Sequence, residues 1–390
     1  MEKINQVIEA ALEESNIPYA AYAVTNSKET LLSGSVGFTD LEKTLPLSSD
    51  AVFRIASMSK ALTSTAFMLL AQEKNLDLHS PAENYIDDLK DLKVADLKDG
   101  QISYSKPDSK VTLHHLLTHT SGFGYDFHHE TLSHLLLDEK IVSLLDKDGK
   151  FLEAPLIEQP GKFWHYGIGV GWIGKIIENL SGQSLNEYMT EKLFEPLSMN
   201  DTSFDISTLG EERLPNLYSI GEDESLVDIS ELMSPPQIDV FAYGGGGVFS
   251  TPNDYAKFLR MFLSQGKIEG SEFLPNNVIS KMTQNQIGDL IVPFQPSYNP
   301  IIISPNEWFP EVEKKWGYSF MINMDDIPGR RTKGSCAWSG IMNTFFWFDQ
   351  EKDIGGTIMM QLAPCYHEKP KKVLKRFEEF VYSETDLLKS

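Results

Sequence analysis

The chain has 390 residues, 41% of them hydrophobic, enough to bury a large core and more than one compact core usually holds. Its 34 Lys and Arg against 56 Asp and Glu give a formal charge of −22, which repels phosphate backbones and anionic lipid, so neither nucleic acid nor membrane is an expected partner. Two cysteines, Cys336 and Cys365, are too few for a disulfide framework or a thiolate metal site, and we read both as reduced packing residues.

Met1 to Asn16 carries Ile4, Val7, Ile8, Ala11 and Leu12 at helical spacing among acids, with neither the basic start nor the apolar run of an export signal. A surface helix and a cytoplasmic location are expected. No window approaches the roughly 18 uninterrupted apolar residues of a membrane span. Tyr19 to Thr25 and Glu29 to Phe38 form a β-hairpin pattern, and Phe53 to Ala56 leads into Ser57, after which Leu62, Ala66, Phe67, Leu69 and Leu70 mark a helix up to Lys74-Asn75. From Leu76 to Pro236 the sequence is irregular and helix-biased, with patches at Leu113 to Leu117, Leu132 to Leu145 and Gly169 to Leu180 and few strand signals. Strand patterns return at Lys315 to Met324, Ser335 to Ile341, Thr344 to Phe348 and Gly355 to Leu362, closed by a helix from Pro370 to Tyr382. The expected architecture is α/β in the α+β sense. Residues 1–75 and 237–390 build a discontinuous sheet domain, and 76–236 an inserted helical one. Gly244 to Gly247 is a flexible or close-approach element.

A hydroxyl nucleophile needs a base within hydrogen-bond reach, and residues three apart on a helix are neighbours. Ser57-Met58-Ser59-Lys60 meets that condition at the start of a helix, where the Ser57 N–H faces outward at the positive end of the dipole and can supply half of an oxyanion hole. Ser-x-x-Lys is weak alone and occurs three times here. Ser103 to Lys106 precedes Pro107 among turn residues, and Ser264 to Lys267 contains Gly266 at a helix end. The bland reading of Ser57 is an N-cap beside a surface lysine.

Phe53-Arg54-Ile55-Ala56-Ser57-Met58-Ser59-Lys60, Leu116-Leu117-Thr118-His119-Thr120-Ser121-Gly122 and Pro160-Gly161-Lys162-Phe163-Trp164-His165-Tyr166 follow one another along the chain. Further on come Phe194-Glu195-Pro196-Leu197-Ser198-Met199, Gly245-Gly246-Gly247-Val248-Phe249-Ser250-Thr251 and Trp338-Ser339-Gly340. In this order they resemble the serine β-lactamase and penicillin-binding-protein superfamily, in particular class C β-lactamases and family VIII carboxylesterases. The resemblance implies an antiparallel sheet flanked by helices plus an all-helical region, with the site between them. It implies Ser57 as nucleophile, Lys60 as base, Tyr166 as proton shuttle and the Ile341 N–H as second oxyanion donor.

Two departures bear on the substrate. Where the lactamases carry Tyr-x-Asn, the chain has Tyr166-Gly167-Ile168, and Trp338 replaces the lysine of their Lys-Thr-Gly, ahead of Ser339 and Gly340. A β-lactam carboxylate would lose a charge-assisted contact worth about 1.5–3 kcal/mol, whereas an apolar wall suits an uncharged ester. A carboxylesterase on short uncharged acyl esters is therefore expected, with acyl transfer or weak lactamase activity open. The alternatives are a D-amino-acid peptidase or β-lactamase, or a non-catalytic binding protein of the same fold. His114, His115, His119, His128, His129 and His134 cluster, but without the Glu of the metalloprotease pattern, and satisfied loop histidines account for them. The lack of Gly-x-Ser-x-Gly removes the main support for an α/β-hydrolase. No metal and no cofactor are expected; the partner is a small-molecule ester, and the oligomeric state is not legible.

Overall fold

The computed structural model describes residues 2–233 and 242–388. The expected boundary after residue 236 lies outside the described residues.

Helix α1 (Glu2–Ser15) buries Ile4, Ile8, Ala11 and Leu12 on one face, as its spacing requires. The hairpin β1 (Tyr19–Thr25) and β2 (Thr30–Gly37) follows. Far along the chain come β3 (Lys314–Trp316), β4 (Met321–Asn323), β5 (Cys336–Gly340), β6 (Thr344–Asp349) and β7 (Ile354–Met359). The seven strands form one sheet in the order β3-β4-β5-β6-β7-β1-β2. Every pairing in it is antiparallel, and β1 joins β7 with Ala21 opposite Met359. The two ends of the chain therefore build one sheet.

Strand β6 reads Thr-Phe-Phe-Trp-Phe-Asp and is buried throughout because both faces of the sheet are covered. Phe346 and Phe348 meet Tyr255 and Phe262 of the helix Pro252–Leu263 at centroid distances of 5.1 Å, while Trp347 meets Phe377 of the helix Glu368–Ser383 at 5.4 Å on the other face. Gly356 leaves the room for Trp347, since a Cβ there would lie 2.4 Å from the indole.

Helix α2 (Ser59–Glu73) is buried from Ser59 to Met68, and it packs against Gly169–Ser181 of the helical region. That region also holds Leu113–Thr118, Glu130–Leu137 and Leu185–Met189. Two details differ from the sequence expectation. The helix expected over Leu132 to Leu145 stops at Leu137. The region also contains the strand pairs Val94–Lys98 with Gln101–Ser105 and Tyr218–Ile220 with Leu226–Asp228. No helix among the described residues is long and apolar enough to cross a membrane.

Candidate active site

Ser57 does not begin the long helix itself. It is central to a 3-10 turn, Ala56–Met58, that runs into α2 at Ser59, and Ala56 ahead of it takes a left-handed φ of +44°. A non-glycine residue held there is strained, and the surroundings fix it. The Tyr255 hydroxyl donates to Met58 O at 3.0 Å, and the Val248 N–H donates to Ser59 Oγ at 3.1 Å. From the sheet side the end of β5 presses in. A Cβ on Gly340 would lie 2.2 Å from Ile55 O, so only glycine allows this approach. Ile341, half-buried, follows directly.

Lys60 is 1% exposed. Its Nζ lies 3.2 Å from Ser57 Oγ, 2.9 Å from Tyr125 Oη and 2.7 Å from Gly245 O, with the Tyr166 ring centroid at 4.8 Å. No carboxylate is among these contacts, and burial drives the amine well below its usual range. A neutral amine has two N–H groups and one lone pair. Gly245 O and Tyr125 Oη can take the N–H groups, which leaves the lone pair for the Ser57 hydroxyl proton. Tyr125 in turn lies 2.6 Å from Tyr243 Oη. The glycine run at Gly244 to Gly247 is a close-approach element: Thr63 Oγ1 donates to Gly244 O at 2.7 Å, and a Cβ on Gly244 would lie 3.0 Å from Thr63 Cγ2.

The Tyr166 oxygen accepts from Trp338 Nε1 at 2.9 Å. Burial raises the phenol well above its ordinary value, opposed by Ser57 and Trp338, so it keeps its proton near neutrality. Trp338 is 3% exposed and stands edge-on to Trp316 at 4.7 Å. Beyond the apolar wall expected from the sequence, the indole is a neutral donor aimed at Tyr166. Ser339 Oγ is occupied by Tyr366 Oη at 2.7 Å, and Ile168 is buried at the head of the helix Gly169–Ser181.

The decoy serines stand apart from this cluster. Ser103 is exposed on a strand, and Ser264 Oγ is bonded to Lys267 O. The sequence reading missed Tyr125, Tyr243 and Gly245 O. It also took the histidines as satisfied, whereas His119 Nε2 and His128 Nε2 are buried with no hydrogen-bond partner among the described residues. His119 Nδ1 accepts from the Gly167 N–H at 3.3 Å, and the ring lies 4.8 Å from that of Tyr166, so it supports the Tyr166 loop. Both cysteines are buried and unpaired.

The sequence model of the Beta-lactamase family matches residues 4–373. Monacolin J acid methylbutanoyltransferase of Aspergillus terreus is 27% identical over 367 residues, covering 87% of this chain and 84% of the relative. A mutant of simvastatin synthase from Aspergillus terreus superposes with a TM-score of 0.83 at 24% identity, covering 99% of this chain and 97% of that one. EstCE1, described as a hydrolase with promiscuous acyltransferase activity, superposes with a TM-score of 0.75 at 17% identity, covering 97% of this chain and 98% of that one.

Proposed function

The chain belongs to the β-lactamase family, and from that premise we propose that it forms an acyl-enzyme at Ser57 from short, uncharged acyl esters and passes the acyl group to water or an alcohol. The observation that carries this reading is a buried, carboxylate-free Lys60 amine 3.2 Å from Ser57 Oγ. Its lone pair takes the hydroxyl proton as Oγ attacks the ester carbonyl. The carbonyl oxygen gains charge facing the backbone N–H groups of Ser57 and Ile341. As the intermediate collapses, the carbonyl–alkoxide bond breaks, Tyr166 gives its proton to the leaving oxygen, and the proton on Lys60 restores the phenol. Deacylation retraces these steps with water or an alcohol as nucleophile.

The relatives include a methylbutanoyltransferase and a hydrolase with promiscuous acyltransferase activity, which fits esterase and acyltransferase chemistry alike. A β-lactam or peptide carboxylate finds less support, because the residue in the usual lysine position, Trp338, is neutral and its N–H is spent on Tyr166. The test is intact-mass analysis after brief exposure to p-nitrophenyl butyrate. One butyryl group should appear on the native chain and on Ser103→Ala and Ser264→Ala, and none on Ser57→Ala. Labelling of a folded Ser57→Ala variant would refute the assignment, and absence of any acyl adduct or turnover across ester, D-Ala-D-Ala peptide and cephalosporin would favour a binding protein.

A further inference from the structure

Residues 341–343 form the loop between the paired ends of β5 and β6, Gly340 and Thr344. Asn343 N–H donates to Gly340 O at 3.0 Å, and Asn343 takes a left-handed φ of +57°, as the last residue of such a three-residue loop does. Both ends of the loop meet one carbonyl. Gly340 is pressed against Ile55 O, and Thr344 Oγ1 donates to the same oxygen at 3.3 Å. That oxygen also accepts from Met58 N–H, so it belongs to the turn that bears Ser57. On its other side the loop is tied to the segment 360–366. Asn343 Nδ2 donates to Leu362 O at 2.8 Å and to Pro364 O at 3.0 Å, and Oδ1 accepts from Tyr366 N–H at 3.0 Å. Met360 N–H and Leu362 N–H donate to Asn343 O and Met342 O. The N–H groups of Ile341 and Met342 donate to nothing among the described residues.

An oxyanion donor is effective only when it is held in place before the charge forms, and a three-residue loop closed by one hydrogen bond is too soft for that. Asn343 removes the softness. It is 0% exposed, and both amide hydrogens and the amide oxygen go to one neighbouring segment, so the loop has a single position. We propose that Asn343 is a positioning residue: with Thr344 it clamps the loop 341–343 between Ile55 and the segment 360–366, which fixes the Ile341 N–H relative to Ser57. The inference rests on the oxyanion role given to Ile341 above. Asn343 acts through backbone alone and touches no reacting atom. The same sheet supplies a matched comparison. Asn323 is 2% exposed and its Nδ2 also donates to two carbonyls, Asp325 O and Thr332 O, each at 2.8 Å. Its N–H donates to Ser335 O just before β5 begins, at the end away from Gly340.

In the experiment, labelling to completion with a fluorophosphonate, read by intact mass, counts nucleophilic sites in each preparation, so rates are taken per site and not per mole of protein. Asn343→Gly accepts the left-handed φ and deletes only the side-chain bonds. Its kcat for p-nitrophenyl butyrate should fall roughly five- to fiftyfold with KM within about twofold, because outright deletion of an oxyanion donor costs roughly 10²–10³. The Ki of butylboronic acid, whose boron bonds Ser57 Oγ to give a tetrahedral anion, should rise by the same factor. Thr344→Val removes the bond to Ile55 O and should act in the same sense by roughly two- to fivefold. Asn323→Ala should lower the urea midpoint and leave kcat and Ki per site unchanged. Native kcat in Asn343→Gly, a kcat loss without a matching change in Ki, or an equal loss in Asn323→Ala would each overturn the inference. Should Asn343→Gly yield no labelled sites, Thr344→Val decides, and native kcat and Ki in that variant would overturn it as well. A native chain left unlabelled at Ser57 would instead remove the acyl-enzyme reading beneath it.

Discussion

A neutral Lys60 leaves a thermodynamic trace that needs no substrate. In the unfolded chain the amine binds a proton below about 10.4. In the folded chain burial holds its affinity for the proton well below that. Between the folded and unfolded values the unfolded state binds one more proton, so the unfolding free energy rises with pH, by up to about 1.4 kcal/mol per unit. Lys60→Met removes the titration. It also strips Gly245 O and Tyr125 Oη of a donor, at about 1–3 kcal/mol each, but that cost is the same at every pH. Urea denaturation of both proteins at intervals from pH 6.5 to 9.5 should therefore show the native chain gaining on the variant as pH rises, flattening once pH falls below the folded pKa. The kcat/KM for an uncharged ester should rise only as pH passes through the folded value and stay level above it, where stability is still gaining. Stability curves that run parallel for native and Lys60→Met protein would mean that Lys60 titrates as it does unfolded, and the neutral-base argument would fail.

Trp338→Phe keeps an aromatic ring against Trp316 and deletes the N–H given to Tyr166, so kcat/KM for p-nitrophenyl butyrate should fall roughly two- to tenfold, the equivalent of about 0.5–1.5 kcal/mol. An unchanged rate would return Trp338 to a packing role. For the native enzyme, lack of the cation that would pair with a β-lactam carboxylate should disfavour nitrocefin by roughly ten- to a hundredfold relative to a site that has it. Comparison of kcat/KM for p-nitrophenyl butyrate and nitrocefin checks this, and faster turnover of nitrocefin would overturn the substrate reading.

Ser57 and Lys60 were legible because their proximity is a local property of one turn of backbone. Tyr166 was named through resemblance alone, since nothing in the sequence places residue 166 beside residue 57. Tyr125 and Gly245, which also reach the Lys60 amine, are brought there by tertiary packing from segments with no shared period or spacing. The Trp338 donor was not legible for a specific reason: at the sequence level tryptophan was weighed as an uncharged surface, and only its orientation reveals that the indole N–H points at a phenol. One miss did have a signal. Asp99-Gly100, both at positive φ (+50° and +73°), is the Asp-Gly turn of a two-residue hairpin between Val94–Lys98 and Gln101–Ser105, flanked by Leu97 and Ile102. The exact start of α2 was beyond reach, because a 3-10 turn and the first turn of a helix share the same residue preferences.

The pairing of β1 with β7 has a consequence for how the protein comes into being. Ala21 leaves the ribosome about 340 residues ahead of its partner Met359. At about 5–20 residues per second that wait lasts tens of seconds, during which the hairpin of β1 and β2 has an open edge that other chains could join. The turn that bears Ser57 waits as well, for Gly340 to be pressed against Ile55 and for Trp338 to hold Tyr166. A nascent or C-terminally clipped chain therefore carries Ser57 and Lys60 without the geometry that arms them. On the proposed mechanism, reactivity arrives only when the strands from residue 314 onward close the sheet.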